Sequence, residues 1–294
     1  MTIELATPDL DGLHEAVRHL VSWQRSGEPL QRHPGDIGWF WRLGAARTTD
    51  AVRTWRADGR LGAVGLLDGA DLLRVTTAPE LRRDATLAAA MVDDIARPER
   101  GVLPAGAAAV EVPSGALLDE RLEDAGWRRG DAWTPLERDL ADAVEPAPGR
   151  HPLRIVEVDG TDAALVSAWA AVQRSAFDTT AAVDERWYAM AGGAPFADAR
   201  CLLGLDGDDP AAGIIAWSAG SGRPGLIEPM GVHQEHRGRG HARSITLAAA
   251  AALRELGASS AQVCTESERV GAVAAYRSAG FATMPERFDR VRDA

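Results

Sequence analysis

The chain has 294 residues, a net charge of −11 and 46% hydrophobic residues, long enough for two lobes, each with its own core. Its acidic total opposes nonspecific nucleic-acid binding. All 32 basic residues are arginine, which removes Schiff-base chemistry and the lysine of a P-loop nucleotide site. Cys201 and Cys264 lie in apolar, strand-like runs, so buried thiols are expected, with neither a disulfide framework nor a metal site. Met1-Thr2-Ile3-Glu4 lacks the basic start and apolar core of an export signal, and no apolar span of membrane length occurs. A cytoplasmic protein without a membrane partner is therefore expected.

In chain order, hydrophobic spacing predicts a strand at Ile3 to Leu5 and a helix from Leu10 to Gln24. Strands at Ala51 to Arg56, Leu61 to Leu67 and Leu72 to Thr76 follow, then a helix from Thr86 to Ile95. The aromatic segment Gly35-Asp36-Ile37-Gly38-Trp39-Phe40-Trp41 either fills a core or interface or walls an acceptor pocket. Residues 142–152, rich in proline, read as a linker. Beyond it come a strand at Leu153 to Val158, helices at Thr161 to Ser175 and Val183 to Met190, and strands at Arg200 to Leu205, Ala212 to Ser218 and Leu226 to Val232. A helix from Ala242 to Leu256 is closed by Gly257, a strand runs near Ala261 to Thr265, and a helix from Val270 to Ala279 is stopped by Gly280 before a last strand opening at Phe281.

The most informative stretch is Val232-His233-Gln234-Glu235-His236-Arg237-Gly238-Arg239-Gly240-His241-Ala242, between a strand and a helix. Gly238 and Gly240 let the loop turn backbone N–H groups inward, and the following helix adds its own uncapped N–H groups and positive dipole end. Arg237, Arg239 and Arg243 make a basic island in an acidic chain, which fits an anion pocket; a solvated arginine loop capping a helix is the plainer alternative. His233, His236 and His241 flank the loop and read as solvated, and no metal is expected.

Arg237-Gly238-Arg239-Gly240-His241-Ala242 matches the Q/R-x-x-G-x-G/A signature of the GNAT superfamily of N-acetyltransferases, and Ala275-Tyr276-Arg277-Ser278-Ala279-Gly280-Phe281 resembles its closing segment. The resemblance implies an α+β fold, a mixed and mostly antiparallel twisted sheet flanked by helices. It also implies acetyl-coenzyme A as cosubstrate, its pyrophosphate held at Arg237, Gly238, Arg239, Gly240, His241 and Ala242. It places Tyr276 where the coenzyme sulfur emerges, as general acid, and gives the backbone of Met230 and Val232 to the pantetheine. One position departs from the pattern: Arg269 stands where an Asn is usual.

An offset of 154 residues superposes Gly280-Phe281 on Gly126-Trp127, and on it Gly238 falls on Asp84, Gly240 on Thr86, Glu228 on Arg74 and Tyr276 on Leu122. A carboxylate where a phosphate needs bare backbone predicts loss of binding. Two tandem GNAT-like domains are therefore expected: a degenerate one at 1–141 without the coenzyme A signature, and a catalytic one at 153–294. This resembles the two-lobed plan of the mycothiol synthases.

Glu228 lies four residues before Val232, so strand alternation predicts both side chains on one sheet face and makes Glu228 the candidate general base. Pro229 cannot donate a ladder hydrogen bond, so a bulge is expected there. Phe177, Asp178, Trp187 and Trp217 either line an aromatic, mildly acidic pocket for a small amine or are ordinary core and surface residues. The expected function is acetyl transfer to a small-molecule amine by a monomeric chain. A noncatalytic acyl-coenzyme A sensor and a protein N-acetyltransferase are the alternatives.

Overall fold

The computed structural model describes residues 1–146 and 152–294. Residues 147–151 of the expected linker lie outside the described residues. Packing divides the chain into unit 1, Met1–Arg32 with Ala45–Trp133 and Glu286–Ala294, and unit 2, His33–Gly44 with Thr134–Pro285. This division differs from a single cut near residue 141. The segment His33–Gly44 packs with unit 2, the last nine residues pack with unit 1, and the boundary falls inside a strand.

The strands are β1 (Ile3–Ala6), β2 (Val52–Ala57), β3 (Arg60–Leu67), β4 (Leu72–Thr77), β5 (Ala108–Glu111), β6 (Arg128–Asp139), β7 (Arg154–Glu157), β8 (Ala199–Asp206), β9 (Asp209–Trp217), β10 (Gly225–Val232), β11 (Ser260–Glu266), β12 (Ala282–Thr283) and β13 (Arg287–Arg292). The helices are α1 (Leu10–Trp23), α2 (Pro34–Phe40), α3 (Ala45–Ala51), α4 (Ala85–Ala96), α5 (Leu117–Asp124), α6 (Ala163–Phe177), α7 (Val183–Ala191), α8 (His241–Glu255) and α9 (Val270–Ser278).

In unit 1 the sheet order is β1-β2-β3-β4-β5-β13, followed by the first half of β6. Only β4 and β5 pair in parallel; the other neighbours are antiparallel. Asp9 opens α1 by accepting from the Gly12 N–H at 2.8 Å, and Leu13, Ala16, Val17 and Leu20 then recur at helical spacing as its buried face. The core gathers Trp55, Leu73, Val75, Met91, Ile95, Val110 and Leu122.

In unit 2 the second half of β6 is followed by β11-β10-β9-β8-β7, with β12 on β6. Two cores cover the faces of this sheet. One holds Ile214, Ile227, Ile245, Leu253, Tyr276 and Phe281 with α8 and α9; the other holds Trp169, Trp187, Met190, Ile215 and Trp217 with α6 and α7. Helix α2 completes the second. His33 caps it, with Asp36 closing the reciprocal bond and Pro34 in its first turn. A Cβ at Gly35 or Gly38 would come within 2.5 Å and 2.4 Å of the Trp217 ring, so only glycines admit that indole. Truncating so buried a tryptophan costs on the order of 3–5 kcal/mol.

Candidate functional site

The site begins with a strand that leaves its neighbour. Gly225 and Leu226 of β10 pair in parallel with Ala261 and Gln262 of β11, and that is the extent of the ladder among the described residues. On its other edge β10 follows β9 further, through Ile227↔Ala216 and then Met230↔Ile214. Glu228 and Pro229 therefore stand where β9 has one residue, which is the bulge expected from the proline; the Glu228–Pro229 peptide is cis. Past it, Met230 and Val232 pack against the α8 core. Gly231 faces α6, where a Cβ would lie 2.7 Å from Ala176 and 3.2 Å from Phe177.

The inserted residue has a consequence for Glu228. The strict alternation that would put its side chain on the face of Val232 does not run through a bulge. Its position is fixed instead by its carbonyl, which accepts from Trp217 Nε1 at 2.6 Å. Tyr276 of α9 is buried beside Phe281, with ring centroids 6.0 Å apart. Burial pushes its phenol well above the usual tyrosine range, and the charge of Glu228 adds to the effect. The two candidate catalytic groups are thus within electrostatic reach of each other.

The loop after β10 contains a 3-10 turn at Gln234–His236, then Gly238 at φ 77° and Gly240 at φ 89°, a left-handed conformation that disfavours any side chain. Gly240 is the N-cap of α8 and supplies no capping group. The first helical bond runs from Ser244 N–H to the Gly240 carbonyl at 3.2 Å, so the first-turn amides are left without a side-chain cap, the arrangement an anion can fill. A Cβ at Gly238 or Gly240 would meet nothing within 4 Å, as an open cradle requires.

The arginines of this loop brace it. Arg237 donates to the carbonyls of Ala176 at 3.0 Å and Val232 at 3.4 Å, and Arg243 to that of Ser278 at 2.8 Å. Arg239 donates to Asp206 Oδ2 at 2.9 Å, and the same oxygen lies 3.3 Å from His236 Nδ1 and 3.2 Å from His241 Nε2. Arg239, with the histidines, holds the Asp206 carboxyl below the usual range, while burial lowers His241 and favours its neutral form. Two of the histidines expected to be solvated are buried, His236 and, at 1% exposure, His241. His241 gives the cradle its backbone, with its ring turned to Asp206. The Asp206, His236 and His241 donors lie within 4.8 Å of one another, a metal-type grouping whose carboxylate is already matched by Arg239. Asp206 was missed from sequence because it ends a strand far from the motif; its only signal is the acid at the end of β8, level with the loop.

A cavity of about 230 Å³ lies beside α6 and α7, with Trp39, Arg42, Trp169, Gln173, Phe177, Arg186 and Trp187 in its wall. Phe177 and Trp187 line it, and the aromatic segment reaches it through Trp39. Asp178 and Trp217 do not. Asp178 is the exposed left-handed cap of α6 at φ 49°, and Trp217, 1% exposed, is core. The expected acidic lining is corrected as well: its charged residues are arginines. Cys201 is buried, its thiol pushed up to about 12 by burial, whereas Cys264 is half-buried. Among the described residues, no helix is long and apolar enough to cross a membrane.

Residues 163–281 match the family described as "Acetyltransferase (GNAT) family". No curated protein matches the sequence. Similar solved structures include a GCN5-related N-acetyltransferase from Sphaerobacter thermophilus, 19% identical over 99% of this chain and 95% of that one with a TM-score of 0.58. A GNAT-family acetyltransferase from Colwellia psychrerythraea is 15% identical over 100% of both chains, TM-score 0.61. A tandem GNAT protein from the clavulanic acid biosynthesis pathway is 17% identical over 99% and 98%, TM-score 0.60. The likeness spans both units, each of which has a GNAT-like fold. Over residues 163–281 the chain carries an acetyltransferase domain of the GNAT family, whose members use acetyl-coenzyme A as cosubstrate.

Proposed function

We propose that unit 2 transfers an acetyl group from acetyl-coenzyme A to a small amine by direct attack, and that unit 1 has no coenzyme site of its own. The reading is carried by one conjunction: a strand released from its parallel neighbour leads into a helix whose N-terminus has no side-chain cap. The loop from Arg237 to Ala242 would hold the pyrophosphate on backbone N–H groups. The backbone of Met230 and Val232, past the point where β10 leaves β11, would pair with the pantetheine amides. The thioester so held supplies an activated acyl carbon.

This chain's own groups then have two tasks. Glu228, directly or through a water, takes the proton that the amine must shed, and Tyr276 gives one to the departing sulfur. A phenol held above its ordinary range keeps its proton at neutral pH, the form an acid needs. Phe177 and Trp187 belong to the acceptor cavity. In unit 1 the carboxylate of Asp84 accepts from the Leu87 N–H at 2.8 Å, filling the place a phosphate would take at α4.

The test is amine-dependent release of free thiol from acetyl-coenzyme A, measured for the wild type and Tyr276→Phe. Turnover should fall about 10²–10³-fold in the variant, with coenzyme affinity unchanged. Equal turnover would remove Tyr276 from the mechanism. Tight coenzyme binding with no thiol release across a broad amine panel, and none with peptide N-termini, would favour an acyl-coenzyme A sensor.

A further inference from the structure

We infer that the cavity beside α6 and α7 selects amines that also bear a carboxylate on an apolar body, so that the acceptor resembles an amino acid and not a polyamine or simple alkylamine. The inference rests on the reading of unit 2 as an amine acetyltransferase and adds the acceptor's chemical class.

The first support is an unmatched pair of polar atoms. Trp169 and Gln173 sit one turn apart on α6, 1% and 2% exposed, and both line the cavity. Trp169 Nε1, a donor, and Gln173 Oε1, an acceptor, have no hydrogen-bond partner. Gln173 Nε2 is directed to the Gly213 carbonyl at 3.4 Å, which fixes the amide with its oxygen left over. Buried polar atoms without partners are uncommon and call for an explanation; a ligand with an N–H to give and an oxygen to accept provides one.

The second support is charge. The cavity wall contains Arg42 and Arg186 and no carboxylate. Arg42 is held in place, its guanidinium 4.3 Å from the centre of the Trp39 ring and donating to the Trp39 carbonyl at 2.7 Å. Arg186 is exposed on α7. An acceptor whose only charge is an ammonium meets positive charge in the wall, whereas a carboxylate is matched by the exposed guanidinium of Arg186. Aromatic walls from Trp39, Trp169 and Phe177 suit an apolar body between the two ends.

The third support is direction. Phe177 packs against Gly231 of β10, and Gln173 lies within 4 Å of the same position. An amine accepted by Gln173 Oε1 therefore sits at the end of the cavity nearest the released part of β10, with the carboxylate anchored away from it. Arg186 acts as the specificity residue in this scheme, with Arg42 adding positive charge to the wall.

Binding and turnover should be measured separately, on the full chain. Quenching of tryptophan fluorescence, with and without coenzyme A, compares phenylalanine with phenethylamine and leucine with isoamylamine. The carboxylated member of each pair should bind at least about tenfold more tightly. Arg186→Glu, at an exposed position that leaves the fold intact, should abolish most of that preference without altering coenzyme affinity, and Arg186→Lys should restore part of it. Equal or tighter binding of the decarboxylated amines, or a preference that survives Arg186→Glu, overturns the inference. Thiol release separates it from the parent reading: preferential binding of carboxylated amines without thiol release keeps the acceptor class and sinks acetyl transfer, whereas thiol release confined to amines lacking a carboxylate keeps transfer and sinks the class.

Discussion

Units 1 and 2 repeat the same strand, loop and helix, and differ in how far that strand stays paired and in what caps the helix. In unit 1, β4 remains in parallel register with β5 through Leu72↔Ala109, Leu73↔Val110 and Arg74↔Glu111. Side chains reinforce the last pair: Arg74 donates to Glu111 at 2.8 Å and to Asp68 at 2.9 Å, and Glu111 also binds Arg32 and Arg287. Asp84 then caps α4 from within. In unit 2 the ladder stops at Leu226, a bulge follows, and α8 begins on bare glycine. One fold yields a closed and an open version, and the open one is made by omission: strand pairing that is not continued and a cap that is not supplied.

The largest effect should come from breaking the closed version. Burial opposes ionisation of Glu111, yet the charges of Arg287, Arg32 and Arg74 outweigh it and hold the carboxyl below its usual range. Its stabilising contribution is therefore complete above the unfolded value of about 4.3 and is lost as pH falls through the depressed folded value. Glu111→Gln takes the shared carboxylate from the buried Arg32 and Arg287 and from the half-buried Arg74, which keeps Asp68, and should cost about 3–5 kcal/mol at neutral pH, read by denaturant or thermal unfolding. A variant that unfolds like the wild type would show that the clamp is not what keeps β4 and β5 together.

The converse experiment gives the open version the cap of the closed one. Gly240→Asp places a carboxylate at the first turn of α8 and forces it to φ 89°. Coenzyme A affinity, by calorimetry, should drop about 100-fold or more, and with Gly240→Ala, which adds strain without charge, about tenfold. If both variants bind as the wild type does, the pyrophosphate lies elsewhere.

A smaller loss should follow from loosening the open loop without touching it. Asp206→Asn removes the charge that Arg239, His236 and His241 share, and a weaker brace should reduce coenzyme affinity about three- to tenfold. Retained affinity would make that cluster irrelevant to the cradle.

Much of this contrast could be read from the residues. Gly238 and Gly240 announce the left-handed loop because few other residues accept their backbone, and Pro229 announces the bulge because it lacks the N–H that a central strand needs. Elements with a clear period, such as α1 and α8, lie within one residue of their predicted limits. What was not legible depends on contacts distant in sequence. The short α2 has no apolar period of its own and is specified by Trp217 filling the space over Gly35 and Gly38. The strands β5 and β13, four and six residues long, carry charges that read as exposed until Arg287 and Glu111 are seen to face each other. Arg42 and Arg186 enter the cavity from two segments nearly half the chain apart, so sequence supplied its aromatic residues and missed its charge.

The finest test of the closed unit is a second acid near its clamp. Asp289 accepts from Trp133 Nε1 at 2.9 Å through one oxygen, while its other oxygen has no partner. Burial, and then the charge of Glu111, push its carboxyl up to about 6. The folded state thus holds this proton more tightly than the unfolded chain, whose aspartate titrates near 3.9. The stabilisation is full below about pH 4, declines as pH rises, and is gone above about pH 6, where a buried carboxylate opposes folding. Asp289→Asn removes that dependence, so the variant should gain stability over the wild type at pH 8 and much less at pH 4, a difference of a few degrees in Tm for each kcal/mol. In a Glu111→Gln background the gain at pH 8 should shrink, because the neighbouring charge that raises Asp289 is gone. An equal gain at both pH values would mean that Asp289 does not titrate in this window, and that Glu111 ionises without imposing on its neighbour.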